Sequence, residues 1–310
     1  MDETTRHCPD KTEKPAAAEP ASAPVSIPKD EVTTDKALPE LVRFDKVTKC
    51  FGRGPERKIA VQDVSFVVHD LPNIGELVAL VGPSGCGKST VLRILAGLRP
   101  HHPPTSGAVL AFGKPIVSPG SDRGMVDQKY SLLPHLTVLD NIAFGLRLRG
   151  VAGKERRDRA GEWAKKVGLE GSEDKYPSEL SGGMQQRVSI AATLILEPKI
   201  LLMDEPFGAL DPKIRMQMQE LLIRLWKEQQ STVFIVTHSM EEAVYLGDRV
   251  LRMGAKPGRL VEELRLPRPD EPPEVMRKRS WFNELTQEML RRLETDAPAC
   301  GELPGLDKWR

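Results

Sequence analysis

The sequence predicts an α/β fold with a mostly parallel sheet. Three short apolar segments, at residues 76–81, 199–205 and 232–237, have the composition of buried strands. Each of them is followed by a helical pattern, such as that of residues 91–96, or by a helix-capping signal. Strands that alternate with helices are typical of a parallel sheet covered by helices.

A glycine-rich motif connects the first of these strands to its helix. Residues 82–90 read GPSGCGKST and fit the phosphate-binding pattern G-x-x-x-x-G-K-[S/T]. Glycine lets a loop turn its N–H groups toward an anion, and a helix that begins after Gly87 directs its positive dipole end to the same place. Lys88 would contact the β- and γ-phosphates of a nucleotide, and the Ser89 hydroxyl would hold Mg²⁺. The predicted phosphate-binding residues are Gly82, Pro83, Ser84, Gly85, Cys86, Gly87, Lys88, Ser89 and Thr90.

Two further strand ends carry candidate catalytic groups. The second apolar segment ends in Asp204 and Glu205, and open α/β sheets bind ligands at the carboxyl ends of their strands. Asp204 would belong to the Mg²⁺ shell, and Glu205 could accept a proton from an attacking water. The third segment leads to His238, just before a helix start marked by Ser239 and Glu242. This position makes His238 a candidate sensor of the γ-phosphate.

Two other features have more than one interpretation from the residues alone. Ser181, Gly182 and Gly183 open a helix, where they could form a second anion site or only a helix cap. Phe51 stands at the end of the first predicted strand, where it could pack against a sheet edge or stack on a nucleotide base. From position alone, packing against a sheet edge is favoured for Phe51, and only a helix cap is favoured for the Ser-Gly-Gly run.

Composition argues against several classes of function. Lys and Arg total 45 while Asp and Glu total 44, so there is no overall field to attract a nucleic acid. No apolar run is long enough to span a bilayer and no apolar signal core follows Met1, so we expect neither a membrane span nor export.

The adjacent His101 and His102 have no further ligand nearby and predict a solvated loop rather than a metal site. Four cysteines lack metal-ligand spacing and predict reduced thiols in a cytosolic protein, namely Cys8, Cys50, Cys86 and Cys300.

The two ends of the chain differ in composition from its middle. Residues 1–40 are rich in alanine, proline and charge and contain no aromatic residue, so they predict a disordered tail. Residues 267–273 are proline-rich and predict a stiff linker. The apolar spacing within residues 281–293 predicts an amphipathic helix. We therefore expect residues 267–310 to form a C-terminal linker and helix.

Several motifs stand in one order along the chain. They are the phosphate loop, Gln128, the LSGGMQ motif at residues 180–185, the acidic pair Asp204-Glu205, and His238. This order resembles that of the ATPase subunit of ABC transporters, over about residues 41–261. The resemblance implies a P-loop NTPase core with a mostly parallel sheet, an antiparallel β-subdomain and an inserted α-helical subdomain at about 134–186. It also implies that the ABC ATPase domain occupies residues 41–266.

The resemblance implies a role for each motif residue. Phe51 is similar to the aromatic residue that stacks on adenine, and Gln128 is similar to the Q-loop glutamine that touches Mg²⁺ and senses the permease. Asp211 lies in what resembles the D-loop, which crosses the dimer. The signature that would grip the γ-phosphate of an ATP bound by the other subunit comprises Ser181, Gly182, Gly183 and Gln185. The implied catalytic residues are Glu205 as the base, His238 as the switch histidine, Lys88 and Gln128.

Cofactors, partners and location follow from the same resemblance. The implied cofactors are ATP and Mg²⁺. The implied partners are a second copy of this chain or a paralogous ATPase subunit, integral membrane permease subunits, and a separate solute-binding protein, with no nucleic acid. A subunit of this kind is peripheral, on the cytoplasmic face of the inner membrane.

A narrower resemblance concerns the transported solute. Residues 132–141 look like the importer group for nitrate, sulfonate and taurine, as do residues 242–250 and 256–259. The alternatives are an importer ATPase for a different small solute and a soluble ABC-type ATPase that acts on DNA or ribosomes. The soluble class would show a long coiled coil or a tandem second cassette, and this sequence has neither.

The segment after the Q-loop glutamine departs from the pattern of that importer group. Asp127 stands where an aromatic residue usually precedes the glutamine. Lys129 and Tyr130 replace an acidic residue and a proline, and His135 stands where the group often has tryptophan. In the family this segment forms the groove that receives a permease helix. The groove should therefore be more basic here, and we expect its partner helix to carry an acidic residue facing Lys129.

Overall fold

The computed structural model describes residues 38–71, 74–255, 257–266 and 272–294. Residues 1–37 of the predicted N-terminal tail, most of the proline-rich linker and the residues after 294 lie outside this described part. The last residue of the predicted tail, Glu40, already belongs to the first strand. Within it, one mostly parallel sheet, one antiparallel sheet and a set of helices form the predicted α/β architecture, so the predicted fold class is confirmed. A search of the described helices finds none with both the length and the apolar character needed to cross a bilayer.

The described residues form ten strands and eight α-helices. The strands are β1 (Glu40–Phe51), β2 (Lys58–His69), β3 (Leu77–Val81), β4 (Ser106–Ala111), β5 (Lys114–Pro115), β6 (Arg123–Val126), β7 (Ile200–Asp204), β8 (Thr232–Val236), β9 (Arg249–Gly254) and β10 (Arg259–Arg265). The helices are α1 (Lys88–Leu95), α2 (Val138–Leu148), α3 (Gly153–Lys166), α4 (Gly182–Leu194), α5 (Pro212–Gln229), α6 (Met240–Leu246), α7 (Pro273–Met276) and α8 (Ser280–Glu294).

The larger sheet has six strands in the order β10-β9-β3-β8-β7-β6. Neighbours from β9 to β6 run parallel, and β10 pairs antiparallel to β9. The three apolar segments of the sequence are β3, β7 and β8. Beyond β9, the antiparallel strand β10 forms the outer edge of this sheet. β10 is only partly buried and mixes charged with apolar residues, so it lacks the signal of a buried strand.

β3 shows how the larger sheet divides the interior into two cores. Leu77, Ala79 and Val81 face one core, which also contains apolar residues of α2, α4, α5, α6 and α8. Val78 and Leu80 face the other core, with α1 and the antiparallel sheet of order β2-β1-β4-β5. Successive side chains of a strand point to opposite faces, so burial of both faces explains the unbroken apolar run of β3.

The C-terminal helix α8 packs on the first of these cores. Phe282, Leu285 and Met289 are buried there at helical spacing, which agrees with the predicted amphipathic helix. One turn further on, Arg292 is buried as well. A long cationic side chain is rarely buried unless it is paired, and Arg292 pairs with two glutamates.

Four charged side chains, which we call the C-terminal ion network, join α8 to β9 and β10. Arg252 on β9 donates to Glu262 on β10 at 2.9 Å and to the carbonyl oxygen of Arg292 at 2.7 Å. Arg292 in turn pairs with Glu262 and donates to Glu288 at 2.8 Å. Glu262 thus contacts two guanidinium groups, and both arginines are buried.

Gly258 packs closely against the backbone of the phosphate loop. It donates its N–H to the Ala60 carbonyl at 3.2 Å and accepts from the Gln62 N–H at 2.8 Å, so it joins β2 to the segment before β10. A Cβ at this position would lie 1.9 Å from the carbonyl oxygen of Cys86. That distance is far inside van der Waals contact, so a side chain at residue 258 would displace the loop.

Candidate active site

The predicted site residues meet at one edge of the larger sheet. β3, β7 and β8 are adjacent and parallel, so their carboxyl ends lie side by side. The phosphate loop follows β3, Glu205 follows β7, and His238 follows β8 two residues after its end. The fold therefore gathers groups that are more than a hundred residues apart in sequence.

The phosphate loop has the backbone that an anion-binding turn requires. Gly85 and Gly87 have φ angles of 79° and 93°, in the left-handed region that favours glycine. No atom lies within 4 Å of the position of a Cβ on Gly85, so this side of the loop is open. The ammonium group of Lys88 donates to the carbonyls of Gly82 at 2.8 Å and Pro83 at 3.1 Å, which holds it within the loop.

The thiol of Cys86 lies in this loop and is buried. Burial raises its pKa, against the lowering effect of the nearby Lys88 charge. Neither Cys86 nor Cys50 forms a disulfide bond in the structure. Cys8 and Cys300 lie outside the described residues.

Asp204 is held by two side chains of α1. The Ser89 hydroxyl donates to one carboxylate oxygen at 2.8 Å, and the Arg93 guanidinium lies 3.2 Å from the other. Burial raises the pKa of Asp204, while the Ser89 hydrogen bond and the Arg93 charge oppose that rise. A hydroxyl and a carboxylate are the hard oxygen ligands that Mg²⁺ prefers. The described residues contain no cluster of three His, Cys, Asp or Glu side chains that could hold a metal ion. A Mg²⁺ at these two oxygens would also take ligands from phosphate and water.

Glu205 contacts two other predicted catalytic residues, Gln128 and His238. Its carboxylate accepts a hydrogen bond from the Gln128 amide at 3.3 Å and contacts His238 Nε2 through its other oxygen. Its N–H donates to the Val236 carbonyl at 3.0 Å, which ties this residue to the end of β8. Glu205 has a φ of 49°, and strained backbone of this kind concentrates at functional sites.

The LSGGMQ residues form the start of α4. The Ser181 side chain caps this helix and accepts from the Met184 N–H at 3.4 Å. Gln185 donates to the carbonyls of Pro177 at 2.8 Å and Leu180 at 3.3 Å, so its amide braces the preceding turn. Among the described residues, no hydrogen bond or ion pair joins this segment to the phosphate loop of the same chain.

Close packing surrounds the two signature glycines. A Cβ on Gly183 would lie 2.7 Å from Ile214 of α5, and one on Gly182 would lie 3.2 Å from the Tyr130 hydroxyl. Asp211 caps α5 by accepting from the N–H groups of Lys213 and Ile214, both at 3.1 Å. The predicted D-loop residue and the signature therefore meet the same helix, α5.

Phe51 is half-buried at the end of β1. Its ring meets the His101 ring edge-on, with 5.3 Å between centroids, and the Lys49 ammonium lies 5.4 Å from its centroid. The predicted solvated loop is wrong for this histidine pair, because His102 is buried and His101 is half-buried against Phe51. Lys49 donates to the Pro103 carbonyl at 2.8 Å, which holds the loop against β1.

Arg93 is the site residue that the sequence does not single out. The available signal is its spacing, because residues four apart lie on one face of a helix. Ser89 and Arg93 have this spacing on α1, and both contact Asp204. Arg93 also lies 3.7 Å from Asp127, the residue before the predicted Q-loop glutamine.

Several known proteins are similar to this chain in sequence. A model of the ABC transporter family matches residues 61–208. An uncharacterised ABC transporter ATP-binding protein of Methanocaldococcus jannaschii is 44% identical over 86% of this chain and 98% of that protein. The nitrate import ATP-binding protein of Synechocystis sp. is 46% identical over 72% of this chain and 86% of that protein. A taurine import ATP-binding protein of Rhizobium johnstonii is 51% identical over 65% and 74%, respectively.

Solved structures agree with the sequence comparisons. The dimeric post-hydrolysis structure of an ATP-binding cassette bound to ADP and Pi has a TM-score of 0.63 and 35% identity, covering 73% of this chain and 99% of that chain. Fold, motif order and similarity along nearly the full length of a relative therefore agree with one another. This chain belongs to the ABC transporter family.

Proposed function

We propose that this chain is the ATP-hydrolysing subunit of an ABC importer and energises uptake of a small anionic solute through a separate permease. The observation that carries the proposal is the convergence on Glu205. One side chain contacts both Gln128 and His238, next to an Asp204 that is bound by the Ser89 of the phosphate loop. A candidate base, a candidate sensor and a candidate metal ligand thus adjoin a phosphate-binding loop.

Each group has a defined task in the hydrolysis of ATP. Phosphoryl transfer is catalysed mainly by positioning and by charge stabilisation. Lys88 and the first N–H groups of α1 balance the charge of the phosphates, and Phe51 stacks on the adenine. Ser89, Asp204 and Gln128 would hold Mg²⁺, which would supply charge neutralisation of the phosphates. Glu205 accepts a proton from the attacking water, and His238 orients that water against the γ-phosphate.

A second subunit completes the site. The capped N-terminus of α4 at Ser181 presents N–H groups suited to an anion, and among the described residues no hydrogen bond or ion pair joins it to the phosphate loop of its own chain. The signature of one copy therefore acts on the ATP of another, with Asp211 crossing the interface. The dimeric state of the solved cassette relatives supports this arrangement.

The solute is of the kind that the named relatives import. Relatives of 46% and 51% identity are a nitrate and a taurine import ATP-binding protein, and these two solutes share a small oxyanion group. The partners are then two permease subunits in the membrane and a solute-binding protein that delivers the anion. The chain lies at the cytoplasmic face of the inner membrane, bound to the permease.

Substitution of Glu205 by glutamine tests the proposal. Glutamine keeps the size of the side chain but cannot take a proton, so ATP turnover should fall by about 10²–10⁴. ATP binding should persist, and a nucleotide-bound dimer should accumulate because the ATP between the subunits is not cleaved. Gel filtration in the presence of ATP measures the dimer, and phosphate release measures turnover.

Glu197 supplies a matched control for this experiment. It also has a left-handed backbone, with a φ of 50°, but its side chain is 75% exposed and pairs with Arg159. Glu197→Gln should leave turnover unchanged. Wild-type turnover in Glu205→Gln, or an equal loss in both variants, would overturn the assignment of the base.

A further inference from the structure

One guanidinium group lies between two carboxylates at the edge of the site. Nη2 of Arg93 is 3.2 Å from Asp204 and 3.7 Å from Asp127. Only 5% of the Asp204 side chain is exposed, whereas about a third of Arg93 and of Asp127 is exposed. Arg93 therefore stands at the boundary between a buried carboxylate and one that faces solvent.

Both carboxylates are held by other contacts. Asp204 accepts the Ser89 hydroxyl at 2.8 Å, so its position does not depend on Arg93 alone. Asp127 accepts the Ser131 hydroxyl at 3.3 Å, and its carbonyl accepts the Tyr130 N–H at 3.1 Å. The Arg93 guanidinium is therefore shared by two anchored acceptors, one proposed for the metal shell and one in the turn that carries Gln128.

The position of this charge determines how strongly Asp204 attracts a cation. A guanidinium on Asp204 competes with Mg²⁺ for the same carboxylate, since both are attracted by its negative charge. A guanidinium drawn toward Asp127 leaves Asp204 more negative. Asp127 is also the residue at which this chain departs from the aromatic that usually precedes the glutamine.

We propose that Asp127 is a positioning residue that draws Arg93 away from Asp204 and thereby sets the affinity of the Asp204 site for Mg²⁺. This inference rests on the proposed role of Asp204 in the Mg²⁺ shell. Through it, the turn at Asp127, which borders the predicted permease groove, adjusts metal binding without contacting the metal.

A double-mutant cycle with Mn²⁺ as the probe tests this link. Full-length protein is titrated with Mn²⁺ in the presence of ATP, and bound Mn²⁺ is measured by electron paramagnetic resonance. Asp127→Asn should raise the half-saturating Mn²⁺ concentration about two- to fivefold, the range expected of a partly exposed ion pair. In the Arg93→Gln background, Asp127→Asn should raise it by a clearly smaller factor, because the competing guanidinium is gone.

The outcomes separate this inference from the proposed function. An equal shift in both backgrounds would show that Asp127 acts through its own charge, and the positioning role would be wrong. The same holds if Asp127→Asn has no effect in the otherwise wild-type protein. Failure of the wild type to bind Mn²⁺ with ATP would instead contradict the assignment of Asp204 to the metal shell.

Two controls guard against a general structural effect. Glu228→Gln removes a carboxylate from the surface pair with Lys166, 3.0 Å apart, and should not change Mn²⁺ binding. Asp127→Glu keeps the charge and should retain wild-type half-saturation. If Asp127→Glu binds Mn²⁺ as weakly as Asp127→Asn while melting like the wild type, the charge of residue 127 is not what positions Arg93.

Discussion

The C-terminal ion network and the edge of the candidate active site distribute charge in opposite ways. In the network, the single carboxylate of Glu262 contacts two guanidinium groups, those of Arg252 and Arg292. At the site, the single guanidinium of Arg93 lies between two carboxylates, Asp204 and Asp127. The four side chains of the network are two arginines and two glutamates, so their charges balance. At the edge of the site, two carboxylates share one guanidinium.

The pKa values of the two regions also differ: the network favours its charged carboxylate, whereas the site favours a cation bound to its carboxylate. Hydrogen bonds from Arg291 and Arg292 lower the pKa of Glu288 in the network to about 2, so the folded protein favours its charged form. At the site, burial raises the pKa of Asp204 and outweighs the opposing Ser89 and Arg93. The folded chain alone therefore destabilises the charge on Asp204, and a bound cation would restore the balance.

The largest effect should come from breaking the network. Arg292→Met leaves Glu262 and Glu288 with fewer cations in a buried place, so the free energy of unfolding should fall by about 3–5 kcal/mol. Urea denaturation measures this. Arg291 contacts the same Glu288 but is 75% exposed, against 5% for Arg292, so Arg291→Met should cost only about 0–1 kcal/mol. Equal losses would mean that burial does not distinguish the two arginines.

A change at the site should lower ATP turnover and leave the stability of the protein unchanged. His238→Ala removes a group that contacts Glu205 but that is 43% exposed, so the protein should melt as the wild type does. ATP turnover should fall by about 10²-fold, which corresponds to about 3 kcal/mol of transition-state stabilisation. Steady-state phosphate release and calorimetry are the paired measurements. A loss of stability close to that of Arg292→Met would remove the contrast between the two regions.

Acid should weaken the network as the pH falls from 4.5 toward 2. The folded pKa of Glu288 is about 2, below its ordinary value of 4.5, so its stabilising contribution is full above 4.5 and is lost as the pH falls toward 2. The stability advantage of the wild type over Glu288→Gln should shrink across that interval. Asp204 contributes with the opposite sign, because its folded pKa is raised. An advantage that is independent of pH would show that Glu288 acts by packing alone.

The smallest effect concerns the predicted permease groove. Lys129 is exposed in the turn between Gln128 and Tyr130. Lys129→Glu should lower the ratio of permease-stimulated to basal ATP turnover, because it repels the acidic residue expected on the partner helix. An exposed pair contributes only about 0–1 kcal/mol, so the ratio should change by no more than about fivefold. An unchanged ratio would mean that no acid faces Lys129.

The central strands and the motif-bearing loops could be predicted from the sequence. β3, β7 and β8 are buried on both faces, so they appear as unbroken apolar runs bounded by polar residues or glycine. Helix starts at Ser181 and Ser239 were visible because their capping serines precede the helices directly. Apolar runs and capping residues are local signals, because they depend only on residues that are adjacent in the sequence.

Features that depend on distant partners could not be predicted in the same way. β6 has four residues and β10 is half-exposed, so neither has a strong local period. The burial of His102 depends on the packing of its loop against β1, and the role of Arg93 depends on Asp204, which is far away in sequence. The roles of the site residues stay predictions until the variants are measured.

Gly258 has a consequence for how mutational scans of this protein will be interpreted. The Gly258 N–H donates to the Ala60 carbonyl of β2, yet any side chain there would collide with the Cys86 carbonyl and displace the phosphate loop. A scan that scores only loss of ATP binding will therefore rank Gly258 with the nucleotide contacts. Substitutions at position 258 therefore report how much displacement the phosphate loop tolerates. The loss of ATP binding should grow with the volume of the side chain that is introduced.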